Sequence, residues 1–419
     1  MEEWKTYKLS EIGNIVGGAT PSTKIAENYD GDIPWITPKD LSDFSGRFIK
    51  HGERNITQHG FDSCSCQMLP KNSVLFSSRA PIGYVAIAAA PLCTNQGFKS
   101  VVPNEEIVDP RFLYYLLKFN KDRIAGMGSG TTFMEVSGGV MKNVEVSLPV
   151  IAIQKHIAEI LSSIDDKIEL NNRINHNLEE QAQALYKSWF VDFEPFKDGK
   201  FVESELGMIP EGWRVCKLDT LVDTVTGYSY KGQELVNSNT AMATIKNFDR
   251  NGGFKVDGYK EIEPTKAKEE HYLKVFDLLV AHTDLTQAAD IIGNPALVLS
   301  KGKYEKLIMS MDLSKVKSRF TEISNSLLYC ILKDNNFKSH ALGYVNGTTV
   351  LHMSKKAIGE YKIAIPGNLS ILKRLSTNLN AYFQKEATTI VENDNLVALR
   401  NRILPRLMSG ELNINEIDC

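Results

Sequence analysis

The sequence predicts an α+β protein in which two similar α+β domains are joined by two long antiparallel coiled-coil helices, with pseudo-two-fold symmetry. Three observations predict this architecture. The chain contains a long internal repeat, each copy holds short apolar strands separated by turn residues, and each copy is followed by a helix with a heptad pattern. A chain of 419 residues organised in this way holds more than one domain.

The internal repeat has a period of roughly 210 residues. It begins at Trp4-x-x-x-Lys8-Leu9, which matches Trp213-x-x-x-Lys217-Leu218. Its longest match places 126–149 over 343–366 without a gap, with Gly, Gly-Thr-Thr, Ser and Pro in common. The stretches 19–71 and 228–275 have almost no similarity. Each half therefore has the same framework and a different exposed surface.

Each copy contains the same order of short elements. Strands are predicted at 74–76, 84–88 and 144–146 in the first copy, and at 278–281, 296–299 and 362–365 in the second. An apolar helix is predicted at 112–118, with Asp109 as its cap, and again at 327–333. The resulting segments are a domain at 1–150, a spacer helix at 151–194, a linker at 195–212, a second domain at 213–366 and a C-terminal spacer helix at 367–419.

A coiled-coil seam is predicted in both spacer helices, because apolar residues and a few asparagines alternate in steps of four and three. Asn175 and Asn393 are predicted to meet near the middle of an antiparallel pair. A buried polar residue there disfavours slipped pairings. The predicted pairing residues are Ile157, Leu161, Ile164, Ile168, Asn175, Leu178 and Leu185 in the first helix, and Leu375, Leu379, Asn393, Leu396 and Ile403 in the second.

A weaker second seam leaves one alternative for these helices. Glu386 and Arg400 occupy seam positions in the C-terminal helix, where an apolar residue is expected. Each helix would then be an ordinary amphipathic helix that packs only on its own domain.

Composition restricts the possible partners. The net charge of −3 and the pI of about 6.3 argue against binding of nucleic acid through an overall positive field. The negative charge is concentrated in 151–194, which carries −4, whereas 205–366 carries +2. Any DNA contact should therefore use local basic groups or basic partner subunits.

The chain has no apolar stretch long enough to span a membrane and begins with a polar segment, so a soluble, cytoplasmic protein is expected. Its six scattered cysteines are typical of reduced thiols. Cys64 and Cys66, with His51 and His59 nearby, lack the spacing of common zinc sites, and no metal site is predicted.

The two Trp-x-x-x-Lys-Leu motifs, the repeated Gly-Thr-Thr loop with Ser and Pro downstream, the segment 185–196 (LYKSWFVDFEPF) and the ending 404–412 (LPRLMSGEL) together resemble the specificity subunits of type I restriction-modification systems. The resemblance covers essentially the whole chain. It implies two target recognition domains that each read half of a split DNA site in the major groove. It also implies helices that set the spacing and dock two modification subunits, which methylate adenine, with restriction (motor-nuclease) subunits joining them.

A non-catalytic subunit is expected on independent grounds. The chain has no phosphate-loop motif, no H-E-x-x-H zinc pair, no G-x-S-x-G elbow and no Asn/Asp-Pro-Pro-Tyr tetrapeptide of amino-group DNA methyltransferases. No cofactor is therefore expected on this chain. The resemblance places S-adenosylmethionine, ATP and Mg on partner subunits.

Candidate DNA-binding residues lie in loops near polar strand ends, because base edges and phosphates are reached by polar side chains and backbone amides. In the first domain they are Lys39, Arg47, Ser77, Ser78, Arg79, Gly130, Thr131, Thr132 and Lys142. In the second they are Lys246, His282, Thr283, Asp284, Thr286, Gln287, Gly347, Thr348, Thr349, Lys355 and Lys356.

Two other classes of function compete with DNA recognition. A duplicated nuclease would need matching acidic metal ligands in both copies, and Asp109 and Asp284 do not match. A duplicated protein-interaction scaffold that never binds DNA is favoured by the acidic pI.

Overall fold

The computed structural model describes residues 4–42, 44–79, 81–130, 134–250, 253–348 and 350–412. The chain forms two compact units, Met1–Leu170 with Asn395–Cys419, and Asn171–Asp394. Each unit contains one copy of the repeat and part of both long helices. The units thus divide the chain differently from the predicted segments, in which the helices stand apart from the domains.

Two sheets and a strand pair form the first unit. The five-stranded sheet has the order β2-β9-β6-β7-β4, the three-stranded sheet has the order β5-β3-β8, and β1 pairs antiparallel with β10. The strands are β1 (Lys5–Lys8), β2 (Gly13–Gly17), β3 (Tyr29–Ile36), β4 (Phe48–Ile49), β5 (Asn55–Ile56), β6 (Val74–Ser78), β7 (Ile82–Ala88), β8 (Cys93–Thr94), β9 (Lys99–Pro103) and β10 (Glu145–Leu148).

The helices of the first unit are α1 (Leu9–Ile12), α2 (Gln58–Asp62), α3 (Pro110–Ala125), α4 (Gly138–Lys142) and the first part of α5 (Ile151–Phe190). Helix α3 begins as predicted, since the Asp109 carboxylate accepts hydrogen bonds from the amides of Arg111 and Phe112 at 2.9 and 3.1 Å. Its apolar face packs on the five-stranded sheet in the main core of this unit.

Three sheets, a strand pair and a hairpin form the second unit. The sheet orders are β14-β22-β18-β20, β16-β15-β21-β17 and β19-β24-β23; β13 pairs with β25 and β11 with β12. The strands are β11 (Phe201–Ser204), β12 (Gly207–Pro210), β13 (Trp213–Lys217), β14 (Val222–Thr226), β15 (Thr240–Ala243), β16 (Lys260–Glu261), β17 (Tyr272–Leu273), β18 (Leu278–Ala281), β19 (Thr283–Asp284), β20 (Pro295–Leu297), β21 (Lys306–Met309), β22 (Leu313–Ser318), β23 (Val345–Asn346), β24 (Leu351–Met353) and β25 (Lys362–Pro366).

The remaining helices are α6 (Asn325–Lys333), α7 (Asn335–Leu342), α8 (Lys356–Glu360) and α9 (Leu372–Met408). Helix α9 belongs to the second unit up to Asp394 and to the first unit beyond it. Helix α6 is the counterpart of α3 and is capped by the Ser324 hydroxyl, which accepts from the amide of Leu327 at 3.1 Å.

The two units share one framework. The antiparallel order β2-β9-β6-β7 of the first unit corresponds strand by strand to β14-β22-β18-β20 of the second. The pair β1–β10 corresponds to β13–β25, with Lys5 opposite Leu148 and Trp213 opposite Pro366. The repeat seen in the sequence is therefore a repeat of topology, and the α+β prediction is confirmed.

Helices α5 and α9 pair antiparallel within the first unit. Ile157 and Leu161 of α5 share one apolar core with Leu407 of α9. Further along, the Arg400 guanidinium binds the Asp165 carboxylate at 2.6 Å, and the Tyr115 hydroxyl donates to the same carboxylate at 2.7 Å. Arg400 thus occupies its seam position as half of a buried ion pair, and the alternative in which each helix packs only on its own domain is wrong.

The same pairing continues in the second unit, in a register one helical turn from the predicted one. The Asn171 amide donates to Asn393 Oδ1 at 2.8 Å, and the Thr389 hydroxyl donates to Asn175. Asn175 therefore does not meet Asn393, which corrects the prediction. This register gives both seam asparagines a polar partner, and an unpaired buried amide is costly.

None of the twelve predicted pairing side chains is exposed. Ile157, Leu161, Ile164, Leu375 and Leu379 are buried. Ile168, Asn175, Leu178, Leu185, Asn393, Leu396 and Ile403 are half-buried.

A buried carboxyl lies in the seam of the second unit. Burial, followed by the neighbouring Glu179 carboxylate, raises the pKa of Glu386 to about 8. Glu179 is held by the Tyr329 hydroxyl and the Lys333 ammonium. Glu386 Oε2 has no hydrogen-bond partner among the described residues. Glu386 is therefore largely protonated at neutral pH.

Asn171→Leu should lower the free energy of unfolding by about 1–3 kcal/mol, because Asn393 then loses its buried partner. The double variant Asn171→Leu/Asn393→Leu should recover most of this loss, because two apolar side chains then face each other. Thermal unfolding of both single variants and the double variant measures the coupling. Additive effects would show that the two amides do not interact.

Glu386→Gln should make the protein progressively more stable than wild type as the pH rises from about 5 to 9. The raised pKa means that folding favours the protonated carboxyl, so wild-type stability falls as pH rises through the native pKa of about 8. Melting temperatures across this range test the effect, with the exposed Glu159→Gln as control. A constant difference between Glu386→Gln and wild type would contradict the assignment.

Candidate nucleic-acid interface

Gly130, the first residue of the Gly-Thr-Thr segment, lies in a short loop of the first unit. Ser129 and Glu135 exchange two backbone hydrogen bonds of 3.0 Å, which close the loop at its base. Gly130 is exposed and has a φ of 132°, a conformation that favours glycine. Thr131 and Thr132 lie outside the described residues.

In the second unit the corresponding Gly347 directly follows β23, which pairs with β24 in a hairpin. Gly347 has a φ of 119°, and a Cβ atom there would lie 2.2 Å from the carbonyl oxygen of Val350. Thr348 is exposed, and Thr349 lies outside the described residues. Only glycine fits at this turn, which explains why the glycine occurs in both copies.

The predicted strand-end segments, 77–79 in the first copy and 282–284 in the second, lie beside the chain that follows the Gly-Thr-Thr segment. In the first unit the amide of Val136 donates to the Ser78 carbonyl at 2.9 Å, and Arg79 forms a β-bridge with Glu135. In the second unit the amide of Met353 donates to the His282 carbonyl at 2.8 Å. The structure thus brings the two predicted segments together twice.

Ser77 and Ser78 are buried and bind the protein itself, which corrects their assignment as DNA contacts. The Ser77 hydroxyl donates to the Pro81 carbonyl at 2.8 Å and accepts from the Tyr84 amide at 2.8 Å. The Ser78 hydroxyl donates to Gly97 at 3.1 Å. These serines hold the turn that carries half-exposed Arg79, whose guanidinium lies 3.8 Å from the Glu135 carboxylate.

His282, Thr283 and Asp284 are also buried, and their assignment is corrected in the same way. Burial lowers the pKa of His282, whose Nε2 lies 2.6 Å from the Met311 carbonyl. Burial alone would raise the pKa of Asp284, but hydrogen bonds from Ile291 and Thr286 lower it below its ordinary value. These residues support a loop and do not form its surface.

That loop, residues 285–293, has no counterpart of similar length in the first unit, where only 79–81 separate β6 from β7. Lys338 holds its far end: the ammonium donates to the carbonyls of Ala289, Asp290 and Ile292 at 3.0, 3.0 and 2.6 Å and to Asn294 Oδ1 at 2.9 Å. The Asp284 carboxylate therefore accepts hydrogen bonds from backbone amides of the loop, and the Lys338 ammonium donates hydrogen bonds to backbone carbonyls at its far end.

The tip of loop 285–293 presents side chains to solvent. Leu285 is 66% exposed, and Thr286 and Gln287 are exposed. The Gln287 side-chain amide donates to the Thr348 carbonyl at 2.6 Å, which joins this loop to the Gly-Thr-Thr hairpin. Thr286 and Gln287 thus remain candidates for base contacts.

Arg47 is not a surface residue, which corrects a further prediction. Its side chain is 5% exposed. The guanidinium binds the Asp166 carboxylate, and its Nε donates to Glu169 at 3.1 Å. Arg47 therefore attaches the loop before β4 to helix α5.

The remaining candidates are exposed cations: Lys39, Lys142, Lys246, Lys355 and Lys356. Lys39 and Lys246 occupy matching places in short turns. In one the Thr37 amide donates to Asp40 at 2.7 Å, and in the other the Thr244 amide donates to Asn247 at 2.9 Å. Lys39 also forms an exposed ion pair with Glu53 at 2.6 Å.

Sequence reasoning missed Lys338 and Leu285. Lys338 binds carbonyls more than forty residues away, so no local pattern identifies it. Leu285 could have been identified from the sequence, because it is an apolar residue inside the otherwise polar run Thr283–Gln287.

Cys64 and Cys66 pack in a small apolar cluster with Trp35 and Cys93. No group of three or more His, Cys, Asp or Glu side chains suited to a metal ion occurs among the described residues. Over that same part of the chain, no helix is both long and apolar enough to cross a membrane.

Comparison with known proteins identifies the family. The family model of the type I restriction modification DNA specificity domain matches residues 1–180. The type I restriction enzyme MjaIX specificity subunit of Methanocaldococcus jannaschii is 33% identical over 99% of this chain and 95% of its own length. The HindI specificity subunit of Haemophilus influenzae is 24% identical over 98% of this chain and 100% of its own length.

A solved structure has the same fold. The S subunit of a type I restriction-modification system from M. genitalium is 15% identical, with a TM-score of 0.58, over 97% of this chain and 96% of that one. The chain belongs to the family of type I restriction enzyme specificity subunits. This membership agrees with the expected non-catalytic role in DNA recognition.

Lys338→Met should release loop 285–293, because the carbonyls of Ala289, Asp290 and Ile292 lose their donor. Hydrogen–deuterium exchange should show faster exchange of the Ile291 and Ile292 amides, which bind Asp284 in the intact loop. The exposed Lys356→Met is the matched control and should exchange like wild type. Unchanged protection in Lys338→Met would show that the ammonium does not hold the loop.

Proposed function

We propose that this chain recognises a bipartite, asymmetric DNA target, with one half-site read by each unit. Support comes from the shared framework of the two units and from the differences between the loops they carry. One short turn with Arg79 in the first unit is replaced by the longer loop 285–293 in the second. Different loops at the same place of one framework are what two different half-sites require.

The two kinds of loop would have separate tasks. The Gly-Thr-Thr segments would offer backbone amides and small side chains, which suit phosphate contacts that fix orientation. Arg79 in the first unit and Gln287 in the second are suited to base edges, since arginine pairs best with guanine and glutamine with adenine. The buried residues Ser78 and Asp284 would act by holding these loops in place.

The long helices would set the spacing of the half-sites and carry the partner subunits. A helix of 40 residues such as α5 is about 60 Å long at about 1.5 Å per residue, and one turn of B-DNA is about 34–36 Å. Two modification subunits and the restriction subunits would assemble on this chain in the cytoplasm. S-adenosylmethionine, ATP and Mg would be bound by those partners, and none by this chain.

The observation that carries the proposal is the repeated contact between the Gly-Thr-Thr loop and the strand-end turn beside it. In the first unit half-exposed Arg79 pairs with Glu135 of that loop, and in the second unit exposed Gln287 donates to the carbonyl of exposed Thr348. A net charge of −3 means that the chain by itself should bind DNA weakly.

Exchange of residues 1–150 for the same segment of another specificity subunit should change one half of the methylated sequence and leave the other half intact. The chimera, expressed with a modification subunit, is tested by sequencing of methylated bases in cellular DNA. The matched control exchanges 213–366, which should change only the other half.

An unchanged methylated sequence in both chimeras would overturn the proposal and favour a protein-interaction scaffold. Methyl transfer by the purified chain without a modification subunit would overturn the non-catalytic assignment.

A further inference from the structure

A cavity of about 290 Å³ lies in the first unit, between residues 41–42 and 44–47, helix α3 and the ends of α5 and α9 that belong to this unit. Its walls include Tyr84 and Phe44. Four cationic and two acidic side chains line it: Arg47, Lys118, Lys121, Arg400, Asp165 and Glu169. Cations around one small cavity are unfavourable unless nearby anions balance their charge.

Carboxylates balance two of these cations. Arg47 binds Asp166 and Glu169. Arg400 binds Asp165 at 2.6 Å. Both guanidinium groups are therefore neutralised within the protein.

Lys118 and Lys121 have no such partner. No carboxylate of the described residues lies within 4.0 Å of either ammonium group. Lys118 Nζ donates to the Tyr114 hydroxyl at 3.1 Å and lies 5.1 Å from the centre of that ring. Burial, followed by repulsion from Arg400, lowers the pKa of Lys118 to about 8. Asp165 and Glu169 line the same cavity, and Asp165 acts in the opposite direction on this pKa, but neither forms an ion pair with Lys118.

In the second copy of the repeat, the corresponding lysine has a carboxylate partner. Lys118 corresponds to Lys333, whose ammonium binds the Glu179 carboxylate of α5. The heptad seams of the two long helices match with a shift of 218 residues, which places Val397 of α9 at the position of Glu179. The first unit keeps the lysine and lacks the carboxylate, and a cavity lies beside that lysine.

We propose that this cavity binds the phosphate group of a small phosphate monoester, with Lys118 and Lys121 as its cationic ligands and Arg400 beside them. A dianionic phosphate supplies the charge that Val397 does not, and ammonium groups bind phosphate well. The cavity volume is near the lower end of the size range of ligand sites, which favours a small phosphate ester such as a sugar phosphate or a mononucleotide. Tyr84 and Phe44 offer apolar surface to the rest of such a molecule.

Binding would connect residues 44–47 to α3 and α9 through the ligand, in addition to the existing link from Arg47 to α5. The first unit should therefore unfold at a higher temperature when the ligand is present. This consequence is independent of DNA recognition and is measured on the chain without partners.

The test is isothermal titration calorimetry of the full chain with inorganic phosphate, ribose 5-phosphate, AMP and uncharged adenosine. The three anions should bind at one site, and adenosine should not bind. Lys118→Met and Val397→Glu should each weaken anion binding at least about tenfold, the first by removing the cation and the second by supplying a carboxylate. Both variants relieve the unbalanced charge, so both should melt at or above the wild-type temperature. The exposed Lys71→Met is the control and should bind like wild type.

A second readout is proton uptake. Titrations at pH 8 in buffers with different ionisation enthalpies should show that wild type takes up protons on binding, because the anion raises the pKa of Lys118, and that Lys118→Met does not. Equal affinities for phosphate and ribose 5-phosphate would identify free phosphate as the ligand, and tighter binding of the ester would identify a metabolite. Absence of binding by all three anions, or wild-type affinity in both Lys118→Met and Val397→Glu, would overturn the proposal.

Discussion

The antiparallel pairing of α5 and α9 is the constraint on which both units depend. Each unit completes its apolar core with residues from both helices: Leu407 joins Ile157 in the first, and Leu379 joins Ala182 in the second. A slip of one turn would move these side chains out of both cores. It would also separate Asn171 from Asn393 and leave two amides facing hydrocarbon. Apolar burial thus stabilises the pair, and the asparagines select its register.

The two copies of the repeat, which both pack on these helices, share one framework and differ in their loops. The residues that both copies preserve, such as the glycines at 130 and 347, serve backbone geometry. The residues that differ are those beside the Gly-Thr-Thr loops, where Arg79 stands in one unit and Thr286 and Gln287 stand in the other. The polar residues buried beneath these loops restrain their shape, and a restrained loop loses less entropy on binding.

Much of the fold followed from the sequence, because the repeat and the periodicities are local or self-evident patterns. The predicted strands and both long helices are present, and the seam residues are buried or half-buried. The register was wrong by one turn, because Asn171 and Asn175 both fit the seam and only the partner residues decide between them. The site was predicted less well. Ser78, His282 and Arg47 are polar residues near loops, yet their partners lie 19, 29 and 119 residues away in the chain. Contacts of that range are set by tertiary packing and leave no local pattern.

The register of the two helices is tested most directly by disulfide trapping. Asn175→Cys/Thr389→Cys should form a bridge under mild oxidation, identified by mass spectrometry of the linked peptides, because these two side chains are in hydrogen-bond contact. Asn175→Cys/Asn393→Cys, one turn away, should remain reduced under the same conditions. A bridge in the second variant and none in the first would contradict the pairing on which this account of the protein rests.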